Sequence, residues 1–226
     1  MARANLAVEP IADSPLALAR RTVEAEATVG EPEADTLLFV SAGSGSITLG
    51  DEKGALAAGS AALVPAGEEA SIVADEALEL VVITVGHDSD RHAPLGRREL
   101  VTSLDEADAG QATGARSFRI LFDASNGSTR ATLFAGFLPP GKAPWHYHLY
   151  DEIVWVPEGP GRLHVGETTE ELPAGSAFRL RPREVHIVEN ASPDRELTIL
   201  GIFTPAGSPS AAYLTSDVAA AYSLAG

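Results

Sequence analysis

The sequence predicts an all-β sandwich or barrel made by tandem duplication of one β-domain, and three observations lead there. Glycine (21 residues) and proline (15) are spread along the chain and punctuate short runs rich in Val, Ile, Leu, Phe and Thr. That spacing is expected of many short strands joined by tight turns. Helix signals are few: Asp217–Leu224 reads as a short C-terminal helix and Leu104–Ala109 as one turn. The tetrapeptide AGSA stands at Ala58–Ala61 and again at Ala174–Ala177, an offset of 116 residues.

Carried outward without a gap, the same offset lays Thr36–Asp51 over Glu152–Glu167. Gly43 then meets Gly159, Gly45 meets Gly161, Gly50 meets Gly166 and Gly59 meets Gly175. Each such glycine marks a turn whose dihedrals other residues resist, so their coincidence points to two copies of one unit. The clearest strand runs are Thr36–Val40, Ser46–Leu49, Ala61–Val64 and Leu78–Val85 in the first half. In the second they are Phe118–Phe122, Ala131–Leu138, Glu152–Val156, Arg162–Val165, Ala177–Leu180 and Glu196–Phe203. The polar stretch Gly86–Ala115 lacks apolar alternation and reads as the connection, which places an N-terminal domain at residues 1–100 and a C-terminal domain at 101–226.

Composition narrows the function. Asp and Glu number 32 against 16 Lys and Arg, a formal charge of −16 that repels phosphate backbones and anionic lipid. Neither nucleic acid nor a membrane is expected as a partner. With no cysteine, thiolate metal sites, iron–sulfur clusters, disulfides and cysteine nucleophiles are excluded. Nowhere do about 18 apolar residues run together, and the first residues lack the apolar run of a signal peptide, so a cytoplasmic protein is expected.

The chemistry-bearing segment is PGKAPWHYHLYDEIVWVPEGPG, starting at Pro140. His146 and His148 are two apart, so on a strand both imidazoles share a face, and Glu152 keeps that parity if the register continues. His186 lies 34 residues beyond Glu152, where a neighbouring strand brings it into the same interior. Three neutral imidazoles and one carboxylate, with positions left for water or substrate, suit Fe(II), Mn(II), Ni(II) or Zn(II).

Gly141, His146, His148, Glu152 and Gly159 resemble the first motif of the cupin superfamily, G(X)5HXH(X)3,4E(X)6G, with Gly141 one residue too close to His146. Gly175, Pro182, His186 and Asn190 resemble the second, G(X)5PXG(X)2H(X)3N. There Pro182 sits one place late and the glycine is replaced in RPREVH, so a turn of different shape is expected before His186. The resemblance implies two cupin-type jelly-roll barrels, a bicupin. It also implies one divalent metal, Fe, Mn or Ni ahead of Zn, held by His146, His148, Glu152 and His186. At the offset of 116 these positions are Gly30, Pro32, Thr36 and Ala70 in the first half, so the N-terminal barrel is expected to keep the fold without a metal.

Arg179, Arg181 and Arg183 alternate through FRLRPR, either binding a substrate carboxylate or pairing with surface Glu. Arg179 is the best candidate for the interior because its counterpart is Leu63, and Phe178 and Arg181 join it as expected substrate contacts. Trp145 and Tyr147 fall opposite the histidines. Tyr150 shares the ligand parity and is a candidate acid or hydrogen-bond donor, and Glu152 is a ligand that can also act as base. His164 is expected at the surface or pocket edge. The resemblance implies a metal-dependent enzyme acting on a small organic molecule, an oxidoreductase of the dioxygenase type ahead of a redox-neutral isomerase, cyclase or hydrolase. The alternative is a non-catalytic small-molecule-binding protein. A homodimer is expected because sheet edges must be covered.

Overall fold

The computed structural model describes residues 4–5, 11–112 and 115–214. Every regular element among them is a β-strand, and no helix is long and apolar enough to cross a membrane. Leu104–Ala109 makes a single turn, in which the Ala107 N–H donates to the Ser103 carbonyl at 3.1 Å. Asp217–Leu224 lies outside the described residues. The chain forms two compact units that are not divided by a single cut: Met1–Asp108, Ile120–Leu133 and Phe203–Gly207 make one, and Ala109–Arg119, Phe134–Ile202 and Ser208–Gly226 the other.

The first unit is organised on two long antiparallel strands, Ala34–Leu49 and Ala70–Gly86. The runs Thr36–Val40 and Ser46–Leu49 are two arms of one strand, because the ladder changes register between Val40 and Gly45 instead of ending. Gly43 makes the bend possible with φ 85°, and a Cβ there would strike the Ala77 carbonyl oxygen. At the corresponding point of the second unit the sequence carries Pro157 and Pro160, which have no N–H for a ladder. The chain accordingly breaks into separate strands, Asp151–Trp155 and Gly161–Val165. Likewise Ala70–Gly86 corresponds to two strands, His186–Asn190 and Leu197–Thr204. Asn190 secures the turn between them: its Nδ2 donates to the carbonyls of Leu138 (2.8 Å) and Arg195 (2.7 Å), and its Oδ1 accepts from the Ser192 N–H at 2.9 Å.

The interior of the first unit is filled by Leu38, Val40, Ile47, Ile72, Leu80 and Val82, all fully or almost fully buried. Each such side chain contributes about 1.5–3 kcal/mol by leaving water. Thr36 and Ala70 are buried as well, and Thr36 Oγ1 has no hydrogen-bond partner.

The stretch Gly86–Ala115 does more than connect. Its Val101–Ser103 pairs with Ser60–Ala62 in the first unit, and Ala109–Gln111 pairs with Ser117–Arg119 in the second. These strands are too short to show apolar alternation, and all their residues are half-buried or exposed.

Two six-stranded sheets hold most of the second unit. One runs in the order 177–180, 151–155, 197–204, 132–138, 117–122, 109–111; the other runs 168–172, 161–165, 186–190, 146–147, 213–214, with Gly141–Lys142 also on 186–190. Leu138, Val154 and Ile199 from the first pack with Leu163, Leu172 and Val188 from the second. The fold is thus all-β, two sheets face to face around one apolar layer.

Repeat-related turns share backbone geometry. Gly50 and Gly166 have φ 57° and 56°, and Gly59 and Gly175 have 88° and 84°. Gly67, at 80°, corresponds to Arg183 at 66°. The turn before His186 therefore keeps the left-handed conformation despite the missing glycine, correcting the expectation of a different shape. The Arg183 N–H donates to the His148 carbonyl at 2.6 Å, which ties this turn to the histidine segment. A left-handed non-glycine costs about 1–2 kcal/mol, more than the roughly 0.5–1 kcal/mol of chain entropy that glycine adds. Arg183→Gly is expected to raise the unfolding free energy by up to about 1 kcal/mol, and Arg183→Val to lower it by at least that much, since a β-branched residue fits the left-handed region worst. Urea midpoints of the three proteins check this.

Candidate metal centre

Strand pairing assembles the site. His146 lies directly opposite His186 in the ladder, and side chains at paired positions project to the same face. Their ring centroids are 4.4 Å apart, and that of His148, just past the strand end, lies 5.0 Å from His146 and 4.8 Å from His186. The three are buried, and one ring nitrogen from each falls within 4.8 Å of the others. Glu152 arrives from the opposing sheet, paired with Leu180, and is 3% exposed.

The hydrogen bonds leave the inner nitrogens free. His146 Nδ1–H donates to the Pro144 carbonyl at 2.7 Å and His186 Nδ1–H to the Glu184 carbonyl at 2.9 Å, so each presents an Nε2 lone pair. His148 Nδ1 and Glu152 Oε2 approach to 3.0 Å, and both are buried without a hydrogen-bond partner. Two ligands at about 2.1 Å from one ion and at right angles to each other stand about 3.0 Å apart. The orphaned pair and the two inward Nε2 atoms thus fit one divalent metal.

Burial, then the neighbouring His186, lowers the His146 pKa from 6.5 to about 3; the backbone bond to Pro144 opposes this. Burial also lowers that of His186. These imidazoles stay neutral at ordinary pH, as metal ligands must. Tyr150 stacks on His148, with centroids 4.5 Å apart and planes at 21°. Burial, then the Glu152 charge, raises its pKa, so the phenol keeps its proton.

His146, His148, Glu152, His186 and Tyr150 line one cavity of about 70 Å³, whose remaining wall is largely apolar and includes Phe118, Phe134, Leu138 and Ile199. Gly201 leaves space beside this wall: a Cβ there would strike the Phe134 ring and come within 3.1 Å of Glu152 Oε1.

The arginine reading is corrected. Glu152 pairs with Leu180, which puts Arg179 on the other face, opposite Ile153. Its guanidinium grips Asp151 through two bonds, Nε to Oδ1 at 2.8 Å and Nη2 to Oδ2 at 2.7 Å. Arg179 thus takes the buried Leu63 position by pairing with Asp151. Arg181 is exposed past the strand end, where its N–H donates to Glu184 Oε2 at 3.0 Å, and Arg183 is exposed too. Phe178 packs against the core cluster and is absent from the cavity wall. Trp145 and Tyr147 do turn away from the site, Trp145 edge-on to His164 and Tyr147 stacked on Tyr213. His164 is buried, with Nδ1 2.9 Å from Thr169 Oγ1 and Nε2 2.6 Å from Glu189 Oε2. The residue missed by sequence reasoning is Arg116, which lines the cavity. It falls between the presumed connection and the run Phe118–Phe122, and no local pattern singles it out.

Residues 134–203 match the family model of the cupin domain. The fold matches a mutant of Bacillus subtilis oxalate decarboxylase at 17% identity and TM-score 0.70, over 85% of this chain and 69% of that one. It matches the same enzyme in a structure concerned with its Mn(II) centres at 16% identity and TM-score 0.73, over 94% and 76%. AerE from Microcystis aeruginosa matches at 13% identity and TM-score 0.69, over 84% and 88%. No curated protein matches the chain. The architecture is the cupin jelly roll, and the three-histidine cluster lies inside the segment that the cupin-domain model matches.

Two consequences are measurable. In metal-free protein the unfolded chain binds a proton at His146 below pH 6.5 while the folded one resists down to about 3. Stability is therefore lost as pH falls through that window, by about 2–3 kcal/mol between pH 6.5 and 4.5 from this residue. His146→Gln is expected to flatten the dependence of the urea midpoint on pH by that amount. Gly201→Ala, which overfills the space beside Phe134, is expected to cost about 1–3 kcal/mol in the same assay.

Proposed function

We propose that the chain is a metal-dependent enzyme whose C-terminal unit acts on a small organic substrate, with oxygen-dependent chemistry, a dioxygenase, as the reaction put first. What carries the reading is the orphaned His148 Nδ1 and Glu152 Oε2, buried beside two inward-facing imidazoles on a cavity wall. Left without an ion, such buried atoms cost about 1–3 kcal/mol each, a cost that a bound divalent metal would offset. The donor set suits Mn(II) or Fe(II), and the presence of Mn(II) centres in oxalate decarboxylase agrees with that choice. The second barrel of the bicupin reading, the N-terminal unit, lacks ligands at every corresponding position and serves as scaffold.

A bound divalent metal would supply Lewis-acid or oxygen-activating chemistry. The chain's own groups do the rest. His146, His148 and His186 would hold the ion, their rings fixed by the Pro144 and Glu184 carbonyls and by the stacked Tyr150. Glu152 supplies the one anionic ligand and is the nearest base. Tyr150, kept protonated, donates a hydrogen bond into the cavity. Phe118, Phe134 and Ile199 exclude bulk water and bind the apolar part of the substrate.

Metal content by plasma mass spectrometry tests the reading. Untagged protein is expected to carry close to one manganese or iron per chain, and His146→Ala/His148→Ala to carry almost none. Oxygen uptake should then appear with a substrate in the loaded wild type and vanish in the double mutant. No metal in either protein after reconstitution overturns the reading, and zinc alone shifts it to redox-neutral chemistry.

A further inference from the structure

The connecting stretch Gly86–Ala115 helps to build a second cavity, whose lining residues all belong to the first unit. Backbone bonds pin this stretch against the turn at residues 123–129. The His92 N–H donates to the Thr129 carbonyl at 2.8 Å, the Leu95 N–H to that of Ala124 at 2.8 Å and the Glu99 N–H to that of Asn126 at 3.0 Å. The approach is close enough to need glycine on both sides. A Cβ at Gly96 would strike the Ser125 carbonyl oxygen, and one at Gly127, where φ is 115°, would come within 2.8 Å of Arg98 Cγ. The cavity measures about 310 Å³. Small-molecule sites run from roughly 300 to 1,000 Å³.

Among the described residues, four charged side chains line it, and three of them are paired. Asp35 Oδ1 accepts the Ala66 N–H at 2.9 Å, and its Oδ2 lies 3.7 Å from Arg130 Nε. Arg98 reaches Glu68 at 3.3 Å and Glu52 at 3.4 Å. Arg91 has no ion pair among the described residues, in a chain where 32 acidic residues face 16 Lys and Arg. Its guanidinium is nonetheless held: Nε–H donates to Thr129 Oγ1 at 3.2 Å, and both Nη groups are left without an acceptor among the described residues. Thr129 is buried, and its own O–H also finds no acceptor there. One wall of the cavity thus carries a cluster of donors with nothing to accept from them.

We propose that this cavity is a carboxylate-binding site of the first unit. The ligand's carboxylate sits on the Arg91 fork beside the Thr129 hydroxyl, and its apolar body lies against Leu63, Pro65 and Pro94. A guanidinium fork matches both carboxylate oxygens, and anchoring by Thr129 reduces the side-chain entropy lost on binding. A phosphate dianion suits the wall less, because Asp35 and Glu68 repel a second negative charge. The formal charge of −16 opposes anions at long range, yet salt screens that field beyond about 8 Å, so the local donors decide. None of these residues belongs to the metal centre.

Benzoate, its uncharged isostere benzamide and phenyl phosphate test the site. Titrations of the whole chain are followed by two-dimensional amide NMR at Gly96, Gly127 and Thr129, which report on this wall and not on the second unit. Wild type is expected to bind benzoate at least tenfold more tightly than benzamide, and more tightly than phenyl phosphate. Arg91→Gln should weaken benzoate about 10- to 100-fold while leaving benzamide binding and the urea midpoint unchanged, and Arg91→Lys should recover part of the loss. No saturable shift with benzoate, equal binding of benzoate and benzamide, or equal binding of benzoate by wild type and Arg91→Gln overturns the site. Tighter binding of phenyl phosphate than of benzoate overturns its assignment to carboxylates. Each of these outcomes leaves the metal reading untouched.

Discussion

The pairing of His146 with His186 across two antiparallel strands is the constraint on which the C-terminal unit depends. It fixes the parity of everything around it: the two imidazoles face the interior while Trp145 and Tyr147 face out. Each ring is locked by donating to the carbonyl two residues earlier in its own chain, Pro144 for one and Glu184 for the other. That shared device means ring orientation follows from the local backbone and survives rearrangement of the cavity. A slip of one residue would bury the Tyr147 ring and expel the ligands. The Arg183 turn, bonded to the His148 carbonyl, holds the register from one side, and Asn190, bridging Leu138 and Arg195, holds it from the other.

Much of this was legible in the sequence because the signals are local or periodic. Alternation marked the strands that face a core, the offset of 116 paired turns that share backbone geometry, and the HxH spacing picked out two histidines of the cluster. The readings that failed depended on long-range register. Arg179 looked inward because Leu63 is inward, and the two do occupy equivalent positions. What the repeat could not reveal is that Asp151, on the next strand, neutralises the guanidinium. Arg116 was missed for the opposite reason: it becomes part of a site only because its strand end is brought beside residues far along the chain. Arg183 shows the limit of motif matching, since the missing glycine left the turn's dihedral in place.

The two units also show how proline and glycine divide similar sequences into different ladders. Where the first carries Gly43 and Gly45, a strand bends and continues; where the second carries Pro157 and Pro160, it stops and restarts. The second interruption, between His186–Asn190 and Leu197–Thr204, separates strands that both line the cavity, through His186 and Val188 on one and Ile199 on the other.

The filled interior of the first unit bears on its prospects. By the offset of 116, Gly30, Pro32, Thr36 and Ala70 stand where the second unit has His146, His148, Glu152 and His186, and Thr36 and Ala70 are buried in a unit whose core includes Leu38, Val40, Ile72 and Leu80. Introducing one histidine there would bury a polar ring with no ion to satisfy it, and a second or third would add to the penalty before any metal could bind. Building such a site there would require several simultaneous changes, each harmful alone, so packing closes that half of the chain to metal chemistry while leaving its surface free to vary.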